Sequence, residues 1–152
     1  MSVCTFIASD FPLKEFAPEK EYAISIDIDR GIIDDGGADE NYFLKNFCDT
    51  TDYTDKKYGV SLELNFTEGR AKRIIDYIKN ALTDAREIEI WHAWMPYDYE
   101  FEDRPFIHKK RIKIDDLTSS DIKKINEAEI WNRPDKNYPE RPSFYCFTIS
   151  AN

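Results

Sequence analysis

Apolar and polar residues alternate along this chain with two periods, and each change of period marks an element. Val3 to Ala8 is apolar on both strand faces and predicts a buried strand, with Pro12 and Pro18 in the loop after it. Tyr22, Ile24, Ile26 and Ile28 alternate with Ala23, Ser25, Asp27 and Asp29, the period of two of a half-buried strand. Arg30-Gly31 turns that strand back through Ile32 and Ile33, which predicts a hairpin. Gly36-Gly37 interrupts regular structure beyond it. Tyr42, Phe43, Leu44 and Phe47 then cluster at helical spacing, so a short helical turn is expected over Glu40 to Phe47. The cleanest alternation is Val60, Leu62, Leu64 and Phe66 against Ser61, Glu63 and Asn65.

The period then lengthens. Ala71, Ile74, Ile75, Ile78 and Leu82 form one buried stripe, which predicts a helix from Glu68 to about Ala85 capped by Thr67. Ile88, Ile90, His92 and Trp94 share one face of the next strand, and Ile107 to Ile114 forms another that is unusually basic. Thr118-Ser119-Ser120-Asp121 is a capping-box pattern opening a second, shorter helix through Ile122 and Ile125. Ser143 to Ser150 is apolar on both faces and is expected to be a central strand. These elements predict a single α+β domain over 1–152, a largely antiparallel sheet of about five to seven strands with two main helices packed on one face. Glu89-Ile90-Trp91 and Glu129-Ile130-Trp131 come after the two helices as an inexact echo, with too few copies for a repeat array.

Charge changes the picture more than composition does. Met1 to Asp55 carries 13 acidic against 4 basic residues, whereas Lys56 to Asn152 carries 17 of each. The whole net charge of -9 therefore lies in the first third. Such a field attracts a cation or a basic surface and repels phosphate polymers, so nucleic acid is excluded as a partner. The run Val3 to Ala8 is too short for a signal-peptide core or a membrane span, so no membrane partner is expected. Cys4, Cys48 and Cys146 are odd in number and far apart, which fits reduced thiols and a cytoplasmic location.

Three groups of residues carry the candidate chemistry. The acidic loop Asp34, Asp35, Asp39 and Glu40 is expected to bind a basic protein partner, with a solvated loop as the plainer alternative. Read as a calcium loop from Asp27, the chain places Gly31, Ile32 and Ala38 where an acid, a glycine and a glutamate belong. No metal site and no cofactor are therefore expected. His92 and His108, with Asp98 and Glu100, form weak catalytic candidates for a hydrolase-like, metal-assisted enzyme; a packed core histidine is the simpler alternative for His92. Trp91, Trp94 and Tyr97 are candidates for stacking on a small ligand or sugar, unless they form a second core face. Lys109, Lys110, Arg111 and Lys113 read as a charged edge strand. The leading expectation is an interaction domain rather than an enzyme. The sequence specifies neither substrate nor oligomeric state.

Overall fold

The computed structural model describes residues 2–95, 105–127 and 133–152. Its strands are β1 (Ser2–Ser9), β2 (Ser25–Asp27), β3 (Ile32–Asp34), β4 (Phe43–Asn46), β5 (Tyr58–Glu63), β6 (Glu87–Met95), β7 (Ile107–Lys113) and β8 (Phe144–Ser150). Helices α1 (Glu68–Ala81) and α2 (Ser119–Asn126) complete the α+β domain. Six strands form one sheet in the order β4-β5-β1-β6-β8-β7, and β2 and β3 form a separate two-stranded ribbon. Every pairing in the large sheet is antiparallel except β7 with β8, whose parallel connection runs through α2.

The apolar run of β1 places it inside the sheet, between β5 and β6. Ile7 joins Val60, Ile74, Ile78, Ile90 and Ile149 in the core under the helices. On the other face Phe6 packs with Phe47, Tyr53 and Trp91, beneath the short 3-10 turn Cys48–Asp52. The β8 strand lies between β6 and β7, with Tyr145, Phe147 and Ile149 in the first core and Phe144 and Cys146 in the second. At the rim stands β7, with Lys109, Lys110, Arg111 and Lys113 exposed. Lysine and arginine on an outer strand discourage unwanted edge pairing.

Both helices begin where their caps predict. The Thr67 side chain accepts from the Arg70 N–H at 3.1 Å. Thr118 and Asp121 form the reciprocal capping box, and Asp121 also accepts from the Thr118 hydroxyl at 2.9 Å. Thr118→Ala is expected to cost about 1 kcal/mol in urea denaturation, because the first-turn N–H of Asp121 loses its acceptor. The first helix stops at Ala81, short of the expected Ala85: the Thr83 hydroxyl donates to the Asn80 carbonyl at 2.7 Å and the chain turns.

Two local expectations are corrected. Glu40 to Phe47 holds strand β4 rather than a helical turn. Tyr42 and Leu44 both reach the main core, a period of two that a helix cannot supply, and Leu44 pairs with Leu62 on one side and Phe16 on the other. The hairpin forms, with Ile26 opposite Ile33, but its apolar face is not half-buried. Ile24, Ile26 and Ile28 are 64 %, 66 % and 87 % exposed, because the ribbon stands apart from the sheet and nothing in the described chain covers it.

Candidate functional site

The acidic loop is held by one buried arginine. Arg70 lies at helical spacing from Ile74 and Ile78, so the α1 stripe carries its side chain inward, where it is 1 % exposed. Its guanidinium grips Asp35 through two parallel bonds, Nη1 to Oδ2 and Nη2 to Oδ1, each 2.9 Å. The remaining donors reach the Ala38 carbonyl from Nε at 2.8 Å and the Asn65 carbonyl from Nη1 at 2.9 Å. Gly36 and Gly37, at φ 83° and 70°, let the chain double back so that the Gly37 N–H also reaches Asp35 at 3.0 Å. The Arg70 hydrogen bonds, aided by Gly37 and Asn65, hold the Asp35 carboxyl down at about 2 against the opposing effect of its burial.

The four loop acids therefore divide. Asp35 is committed to Arg70 and is structural. Glu40 is half-buried and accepts from the Tyr22 hydroxyl, which lowers its own pKa and pushes the Tyr22 phenol up to about 12. Asp34 accepts from the Gly36 N–H at 2.8 Å but remains exposed, and Asp39 is exposed beside the first turn of α1.

Beside this loop runs an open groove of about 650 Å³ between residues 18–24 and the ends of β4 and β5. Pro18, Ile24, Phe43 and Leu64 give it an apolar lining, while Glu19, Glu21, Asp35 and Glu63 supply carboxylates against Lys20, the one cation among its described lining residues. No sequence pattern marks this groove, because Glu63 lies far along the chain from Glu19 and Glu21 and only the fold brings them together. Arg70 did leave a signal: a charged residue on the buried face of a helix requires a partner.

The histidines lie elsewhere, in one row across the sheet. His92, Tyr145 and His108 occupy facing positions on β6, β8 and β7. The His108 ring stacks on Tyr145 at 4.9 Å between centroids, and His92 meets Tyr145 edge-on at 6.3 Å. His92 is 1 % exposed, its Nδ1–H donates to the Ile125 carbonyl at 2.8 Å, and burial pushes its pKa down to about 4. Burial also lowers the pKa of His108. His92 is thus a packed core histidine sealed from water, and Asp98 and Glu100 lie outside the described residues. Trp91 is 3 % exposed and stacks on Phe6, and Trp94 packs against the same core. The ligand-stacking reading required Trp91 at the surface; Tyr97 lies outside the described residues, as does the Glu129-Ile130-Trp131 echo.

Burial raises the thiol pKa of Cys4 to about 11 and of Cys146 to about 12, so neither is an activated nucleophile. Among the described residues no three acids, histidines or cysteines gather as a metal site, and no helix is long and apolar enough to cross a membrane. No protein-family model matches the chain, and comparison with curated proteins and with solved structures also yields no match.

Proposed function

We propose that the protein is an interaction domain whose acidic surface, from Glu19 to Glu40, receives a basic partner. The observation that carries this reading is the groove beside the Arg70–Asp35 clamp, where Glu19 and Glu21, with Glu63 shared with Lys45, lie over an apolar lining. An interface of this kind combines apolar contact at its centre with charge at its rim. The clamp supports the reading from below: by holding Asp35 it fixes the loop that presents Asp34 and Asp39, so the charges are pre-ordered before a partner arrives.

Association with a basic partner is steered by charge and weakens steeply as salt rises. Titration calorimetry with a peptide of alternating lysine and leucine is expected to show saturable binding at low ionic strength that fades at high ionic strength. Asp34→Asn and Asp39→Asn, which leave the clamp intact, are each expected to weaken it by about 0.2–1 kcal/mol. Binding indifferent to salt and to both substitutions counts against the proposal.

A further inference from the structure

The ribbon β2–β3 is two-faced. Its register places Ile26 beside Ile33 on one face, with the exposed Ile24 and Ile28 flanking β2 on either side. Ser25, Asp27, Ile32 and Asp34 lie on the other face. A two-stranded ribbon of this length has little stability of its own, and a contiguous apolar face in water marks an interaction surface.

At the far rim of the sheet stands an edge of opposite charge. β7 is hydrogen-bonded to β8 alone, and among the described residues no strand covers its outer side. Lys109, Arg111 and Lys113 succeed each other at a spacing of two on one of its faces, Arg111 already paired with Glu87 at 2.8 Å, while His108, Lys110 and Ile112 lie on the face that meets the helix layer. The ribbon face that carries Asp27 and Asp34 is thus opposite in charge to the edge face that carries Lys109, Arg111 and Lys113.

We propose that the chain associates with itself head to tail, the β2–β3 ribbon of one copy adding to the open β7 edge of the next. This rests on the acidic surface being a docking surface for a basic partner, and it identifies that partner as a second copy. Neighbouring strands lie about 4.8 Å apart, so carboxylates and cations on the same sheet face become cross-strand pairs. The isoleucine face is then turned to the side of the next copy that carries its helices.

Ile24 and Asp35, which flank the open end of the ribbon opposite its turn, line the groove with Phe43 and Glu63 of β4 and β5, so the ribbon lies at the sheet edge opposite β7. Contact between the two surfaces therefore joins different copies, and being heterologous it extends into chains or rings. Edge-to-edge pairing of two ribbons would set Asp27 and Asp34 of both copies side by side, which like charge disfavours.

Sedimentation velocity on the full chain tests this. At low salt the average mass is expected to rise with concentration above 17.9 kDa and to return to it at high salt. Ile26→Lys with Ile33→Lys disables the ribbon, and Lys109→Glu with Lys113→Glu disables the edge. All four positions are exposed, and circular dichroism verifies that both variants keep the fold. Each variant alone is expected to stay monomeric, and the two mixed are expected to form a 1:1 complex that grows no further, each bringing one working surface. A chain that stays monomeric at every concentration overturns the proposal, as does a mixture without complex, or a mass that grows with salt, the sign of isoleucine faces meeting each other. If self-association is absent while the lysine-leucine peptide still binds in a salt-dependent way, only the second copy is lost as partner. If the peptide also fails to bind, the acidic docking surface falls with it.

Discussion

Arg70→Ala is expected to destabilise the domain by about 3–5 kcal/mol, the cost of removing one partner from a buried ion pair. The guanidinium is 1 % exposed and satisfies four acceptors: both Asp35 oxygens and the carbonyls of Ala38 and Asn65. Without it, Asp35 remains a carboxylate in a site built for its counter-charge, and two carbonyls lose their donor. Arg70→Lys restores the charge but not the two-pronged geometry, so it is expected to recover only part of the loss. Urea denaturation of Arg70→Ala, Asp35→Ala and the double variant reads the pair directly: the double variant is expected to lose less than the two single losses added together. Strict additivity would mean that the two side chains do not act as a pair. On the proposed docking role, peptide binding by Arg70→Ala is expected to weaken even at temperatures where the variant remains folded, because the clamp orders the segment bearing Asp34 and Asp39.

Much of this fold is legible in its residue pattern, and the failures share a cause. The strands Val3–Ala8 and Ser143–Ser150 and both helix starts arise from period and capping chemistry, which are local properties. The charged rim strand was equally readable, since four cations in five positions suit only an open edge. The errors at Glu40–Phe47 and at the isoleucine ribbon arose where the outcome depends on what lies opposite. Leu44 became a strand residue because β5 and Phe16 flank it, and Tyr42 stacks on Phe16 just before the strand. Ile24, Ile26 and Ile28 have the alternation of a buried strand, yet the chain folds nothing over them. Alternation records that a strand has an apolar face; it does not say what that face meets.

The candidate site shows the same division. Acidity confined to the first third was visible in the sequence, but its partition was not. Asp35 and Asp34 are neighbours of one chemical type, and only Arg70, 35 residues away along the chain, makes one structural and leaves the other at the surface. The groove likewise joins Glu21 to Glu63 across the ends of two strands. Net charge thus locates a surface, while the placement of each counter-ion determines which charges remain to meet a partner.

Acid is expected to remove stability in two windows, the upper led by His92 and the lower by Asp35. His92 has its pKa lowered from 6.5 to about 4 by burial, so the folded state resists a proton that the unfolded chain accepts. Its contribution is complete above pH 6.5 and is lost as pH falls toward 4, about 3 kcal/mol in all. His108 is shifted in the same direction and adds to this step. Asp35 has its pKa lowered from 3.8 to about 2 by Arg70, so its contribution is present above 3.8 and is lost as pH falls through 2. That second step is about 1–2 kcal/mol once the water still reaching the loop is counted. Denaturation midpoints measured from pH 7.5 to pH 2.5 are expected to fall in both windows. His92→Asn lowers stability at neutral pH, because the cavity it leaves and the altered bond to the Ile125 carbonyl both cost, but it flattens the upper window. Arg70→Met makes the lower one shallower, since Asp35 then has no cation to hold its pKa down, while Asp135 and Glu87 keep their own partners. A wild-type profile level between pH 6.5 and 4 would show that His92 titrates as though in water, which its sealed position on β6 does not allow.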